Sequence, residues 1–154
     1  FIIFSLYLLM RITEKLLWQK AEHNEGWLID LEEIALHQMD IEKIENFDML
    51  CWHIKILLLQ NNLIEKMENL SKLWELEYLN LALNNITKIE GIENCESLNK
   101  LDLTCNFIGP ENYVESLKNL KKCESLKEIY IMGNPCCDFP KHKELMVGIC
   151  NNLV

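Results

Sequence analysis

Apolar residues in this chain recur in one pattern at a long, constant period. The pattern appears as Ile54-Leu57-Leu59-Asn62-Ile64, Leu76-Leu79-Leu81-Asn84-Ile86 and Leu98-Leu101-Leu103-Asn106-Ile108. The copies begin at residues 54, 76 and 98, so the period is 22 residues. Two looser copies flank them. Leu31-Ile34-Leu36-Met39-Ile41-Ile44 carries Met39 where the others have Asn, and Leu126-Ile129-Ile131-Asn134 starts 28 residues after Leu98. The apolar-x-apolar step inside each copy predicts a short strand whose apolar side chains point inward and whose intervening residues point outward. One such strand cannot bury its apolar face alone, but a stack of parallel strands joins those faces into a single core.

The template L-x-x-L-x-L-x-x-N-x-L therefore predicts an α/β solenoid. It is a leucine-rich repeat of about five 22-residue units, with a parallel concave sheet, an N-terminal helical cap and a C-terminal capping helix. Asn62, Asn84, Asn106 and Asn134 fall at the turn after each strand, where a buried amide must satisfy backbone groups that the turn leaves unpaired. They read as a structural ladder. The second half of each unit, Ile64-Met67-Leu70 and Ile86-Ile89-Ile92, has a spacing of three that predicts a short helical turn on the convex side. The extra length before Leu126 predicts an amphipathic helix over residues 111–122, with Pro110 near its first turn and Val114, Leu117 and Leu120 on its apolar side. At the front, Thr13 is an N-cap for a helix reaching about Ala21, with Leu16, Leu17 and Trp18 covering the first strand's edge. At the back, residues 141–149 predict a helix with Leu145, Met146 and Ile149 apolar, and the chain stops at Val154, where a final capping strand is expected. Residues 1–9 of the apolar run Phe1–Met10 are too short to span a bilayer and lack signal-peptide flanks, so they read as an artefactual or unstructured extension. The domain reading is thus 1–9 extension, 10–30 cap, and 31–154 repeat domain ending in a truncated cap.

The outward strand residues form a grid: Glu33, Ala35, His37; Ile56, Leu58, Gln60; Tyr78, Asn80, Ala82; Lys100, Asp102, Thr104; Glu128, Tyr130, Met132. Ile56, Leu58, Tyr78, Tyr130 and Met132 are expected as apolar or aromatic groups on an exposed surface, which marks a partner site. We assign partner binding to Ile56, Leu58, Gln60, Tyr78, Asn80, Lys100, Asp102, Thr104, Tyr130 and Met132.

Composition narrows the function. The chain has 154 residues and a net charge of −9. That charge argues against nucleic acid and anionic membranes, both of which draw on clustered Lys and Arg. Seven cysteines lack any CxxC pair, which removes zinc-ribbon and thioredoxin readings. Cys136, Cys137 and His142 are the one candidate start of a metal site, and His23, His37, His53 and His142 are otherwise scattered. No phosphate loop or nucleophile elbow is present. The expectation is a non-enzymatic scaffold in a reducing compartment, with no cofactor and no metal.

The segment "LQNNLIEKMENLSKLWELEYLNLALNNITKIEGIENCESLNKLDLTCNFIG" resembles tilB-type leucine-rich-repeat proteins, assembly factors for axonemal dynein arms. The resemblance extends to "ITEKLLWQKAEHNEGWLIDLEEIALHQMDIEKIE" in front and "LKEIYIMGNPCCDF" behind. The cap "ITEKLLWQKAEHN" and the run "LEYLNLALNNI" carry it, because the repeat consensus alone is shared with phosphatase-1 regulators and a splicing subunit. The resemblance makes Met10 the natural start. It implies a cytoplasmic factor of ciliated or flagellated cells that helps pre-assemble dynein arms with other assembly factors or chaperones, its repeats holding the partners. The charged middle region and chaperone-adaptor-like domain of such proteins lie outside the matched residues. Two alternatives stand beside this reading: a phosphatase-1 regulatory protein, and a structural component of the axoneme or basal body.

Overall fold

In the computed structural model, residues 10–21, 27–150 and 152–153 are described. The 1–9 extension and His23 lie outside them. Five three-residue strands form one parallel sheet in chain order: β1 (Glu33–Ala35), β2 (Ile56–Leu58), β3 (Tyr78–Asn80), β4 (Lys100–Asp102) and β5 (Glu128–Tyr130). Their register follows the repeat, aligning Ile34, Leu57, Leu79, Leu101 and Ile129 across all five strands. The chain is the predicted leucine-rich-repeat solenoid. Its core is one continuous column running from Ile12 to Cys150, fully apolar at Leu57, Leu79 and Leu101.

The ladder of parallel bonds continues past each strand, as in Leu81 N–H to the Asp102 carbonyl (2.8 Å) and Leu83 N–H to the Thr104 carbonyl (2.8 Å). Then every unit turns the same way. Gln38, Asn61, Leu83, Cys105 and Gly133, each one residue before the ladder position, all have φ between 54° and 78°. The ladder side chain closes the turn and ties it to the preceding unit. Asn84 accepts from Ile64 N–H (3.0 Å) and donates to the carbonyls of Leu59 (3.0 Å) and Leu81 (3.1 Å). Asn62, Asn106 and Asn134 do the same, to Ile41, Ile86 and Ile108 N–H at 3.0–3.1 Å. Met39 has no amide to offer, and its own N–H is held by Asn62 (3.0 Å).

The sequence pattern missed a second asparagine column on the other side of the solenoid. Asn46 donates to the Ile12 carbonyl, Asn69 to Ile44 (2.7 Å) and Asn119 to Ile89 (2.9 Å). Gly91 takes this place in the third unit, at φ +74°, where a Cβ would sit 2.5 Å from the Met67 carbonyl oxygen.

The convex side departs from expectation. Ile64, Met67, Leu70, Ile86, Ile89 and Ile92 are all buried, but no helix forms over them. Single-turn bonds appear slightly later, from Leu73 N–H to the Leu70 carbonyl (3.0 Å) and Cys95 N–H to Ile92 (3.0 Å). A spacing of three thus arises here from extended and turn backbone rather than from a helix. The long unit does hold a helix, α3 (Pro110–Leu120), but its buried side is Tyr113, Ser116, Leu117 and Leu120, and Val114 is exposed. The reason is polar: Ser116 Oγ accepts Ile89 N–H (3.0 Å) and Asn119 takes the Ile89 carbonyl, so the helix turns its hydroxyl and amide inward.

The front helix α1 (Glu14–Lys20) is capped by Thr13 Oγ1 accepting Leu16 N–H (3.2 Å). Leu16 and Leu17 join the core, whereas Trp18 is exposed. A four-residue helix, α2 (Phe47–Leu50), buries Phe47. The last helix, α4 (His142–Ile149), half-buries Leu145, Met146 and Ile149 and is tied to α3 by Tyr113 Oη donating to the His142 carbonyl (2.9 Å). No helix among the described residues is long and apolar enough to cross a membrane.

Candidate functional site: the concave sheet

The register that builds the core also sets side chains from successive units beside one another on the open face, on strands about 5 Å apart. Tyr78, Lys100 and Glu128 share one row, and Asn80, Asp102 and Tyr130 the next. Lys100 is the centre of the grid. Its ammonium stands 4.9 Å from the Tyr78 ring centroid and 5.3 Å from that of Tyr130, both within cation–π range. Glu128 lies 3.9 Å from the same ammonium, and Tyr130 Oη donates to Glu128 (2.8 Å). That hydrogen bond and the carboxylate charge push the Tyr130 phenol pKa up. Glu128 is thus part of the cluster, although its place in the outward grid alone did not select it.

Asn80 and Asp102 have a second task. Each accepts the backbone N–H two residues ahead, Asn80 from Ala82 (3.1 Å) and Asp102 from Thr104 (2.9 Å), which bends the chain out of the strand. Asn80 Nδ2 also donates to Tyr78 Oη (3.0 Å), fixing that ring.

Ile56, Leu58 and Tyr78, expected as exposed, are half-buried because side chains in register shade each other across the sheet. Tyr130 and Met132 are exposed at the open end. They rim a hollow of about 400 Å³ that runs under α4 against Ile129, Cys137, His142 and Met146. Gln60, on the same face, keeps a buried Oε1 with no hydrogen-bond partner.

The buried thiols are shifted away from nucleophilic character. Burial pushes Cys51 and Cys123 up to about 11 and Cys95 and Cys136 up to about 12, whereas a reactive thiol is shifted downward. Cys136, Cys137 and His142 do not converge: among the described residues no three His, Cys, Asp or Glu groups gather to hold a metal ion.

No family model matches the chain. Among curated proteins, Mus musculus dynein axonemal assembly factor 11 is 55% identical over 137 residues, 89% of this chain and 28% of the mouse protein. Drosophila melanogaster protein tilB is 52% identical over 137 residues, 89% of this chain and 34% of the fly protein. Among solved structures, a chain of the Drosophila melanogaster SNF/U2A' complex superposes with a TM-score of 0.68 at 28% identity, covering 79% of this chain and 69% of that one. The chain spans about a third of the length of these curated relatives. Over that span, the protein is a leucine-rich-repeat homologue of the tilB and dynein axonemal assembly factor 11 proteins.

Proposed function

We propose that this chain is the partner-holding repeat module of an axonemal dynein assembly factor, acting before the arms dock on the axoneme. The reading rests on relatives at 53–56% identity named dynein axonemal assembly factor 11, together with a sheet that presents Tyr78, Lys100 and Tyr130 as one cluster. Its partners are other proteins, namely assembly factors or chaperones, and it works in the cytoplasm or at the base of the cilium. The mouse relative is named an assembly factor, and a repeat scaffold acts by holding. Ile56, Leu58, Gln60, Asn80, Asp102, Thr104 and Met132 complete the contact surface around the cluster. The two tyrosine rings suit it to a hot-spot contact, since Trp, Tyr and Arg are the residues enriched where interface energy concentrates.

The test is depletion of the gene in the organism that encodes it, followed by electron microscopy of axoneme cross-sections. Missing dynein arms on otherwise normal doublets support the assembly role. Intact arms would refute it.

A further inference from the structure

Tryptophan is usually well buried, yet the described tryptophans Trp18, Trp27, Trp52 and Trp74 are 43%, 75%, 44% and 57% exposed. Scattered apolar side chains on a surface need no explanation. Trp52 and Trp74 are not scattered. Trp52 lies four residues before Ile56 and Trp74 four before Tyr78, and Ile56 pairs with Tyr78. The two indoles therefore occupy the same position in adjacent units, on the edge where the chain enters the sheet. At the next position along, His53 Nδ1 meets Glu75 Oε1 at 2.7 Å, so side chains on this edge reach from one unit to the next. Ile29, 37% exposed, takes the same place in the first unit. The Trp52 ring is also held, its Nε1–H donating to the Asp48 carbonyl (2.9 Å).

The ridge is set among carboxylates. Asp30, Glu32, Glu75, Glu77 and Glu96 lie in the same edge loops, with Glu96 in the fourth unit's equivalent of Trp74. Lys55, one of the few cations there, is paired with Glu32 at 2.7 Å. The chain as a whole carries a net charge of −9. Two exposed indoles on an edge rich in carboxylates suit a guanidinium or ammonium, which gains cation–π attraction from the rings and ion pairing from the carboxylates.

We infer that the Trp52–Trp74 edge is a second docking site, separate from the concave face, for an arginine-bearing basic segment of a partner protein. Arginine fits better than lysine, because its planar fork stacks on indole and bridges carboxylates at once.

The test measures binding of a fluorescein-labelled peptide alternating arginine and serine by anisotropy, at about 0.15 M salt to screen long-range attraction. Trp52→Ala with Trp74→Ala leaves the net charge unchanged and should weaken binding about ten-fold. Tyr78→Ala with Lys100→Ala should leave the peptide's affinity within about two-fold, which separates this site from the concave one. Circular dichroism on each variant checks that the fold is kept. No binding to the wild-type chain, or equal binding by the tryptophan variant, overturns the inference. So does a tryptophan-dependent dimer in analytical ultracentrifugation, which would make a second copy of the chain the occupant.

Discussion

Asn84 Oδ1 accepts the backbone N–H of Ile64, twenty residues earlier, at 3.0 Å. The bond joins one unit's turn to the previous unit's exit, and Nδ2 completes the joint on the Leu59 and Leu81 carbonyls. Asn84→Ala strands the buried Ile64 N–H, whereas the Leu59 and Leu81 carbonyls keep the bonds they accept from Asn62 and Asn106. It should lower stability by roughly 1–3 kcal/mol, the cost of leaving one buried polar group unpaired. Urea denaturation followed by circular dichroism checks this, and a loss below about 1 kcal/mol would show that the ladder is not a stabilising element.

Left-handed backbone on the two sides of the solenoid gives opposite expectations at two positions. Leu83 adopts φ 57° with its side chain exposed, a conformation disfavoured by its Cβ. Leu83→Asn should therefore raise stability by about 0.5–1 kcal/mol. Gly91→Ala should lower it by about 1–3 kcal/mol, because the added Cβ meets the Met67 carbonyl at a positive φ. Thermal melts of both variants read the two signs.

Core substitutions should grade along the array. Leu81 is fully buried between neighbouring units, so Leu81→Ala should cost roughly 2–5 kcal/mol. Ile129 sits on the last strand of the sheet and is only half-buried, so Ile129→Ala should cost less. Equal losses in chemical denaturation would mean that the terminal unit is as tightly packed as the centre.

The buried thiols make stability depend on alkaline pH. Burial raises the folded pKa of Cys51, Cys95, Cys123 and Cys136 from the ordinary 9.0 to about 11–12. Unfolded thiols ionise first, so the contribution is complete below pH 9 and is lost as pH climbs through 9 towards 11–12. Denaturation midpoints from pH 8 to 11 should fall less steeply for Cys95→Ala than for the wild-type chain. At pH 8 iodoacetamide should label the exposed Cys105 well before the five buried cysteines, Cys51, Cys95, Cys123, Cys136 and Cys150.

The solenoid was legible because its determinants are local and repeated. The Leu57-x-Leu59 step and Asn62 recur at a constant period, and each copy reinforces the others. What stayed hidden depended on the third dimension. Ser116 turned inward because a backbone N–H of the previous unit needed an acceptor, and no apolar period reveals that. The spacing of Ile64, Met67 and Leu70 fits either a helical turn or a bent chain, and only packing between units decides. The 28-residue step that sets Glu128 and Tyr130 beside Lys100 was legible, but the meeting of two rings and a carboxylate around one ammonium needed the side-chain placement. The two tryptophans, 22 residues apart, were visible as letters, but only the structure shows them exposed at matching positions of paired units.

The most direct measurement is rescue of dynein arms in depleted cells by the full-length protein carrying Tyr78→Ala, Lys100→Ala and Tyr130→Ala. The account predicts that wild-type protein restores the arms while the folded triple variant, expressed at equal level, does not. Full restoration by the triple variant would contradict the assignment of partner binding to the concave face.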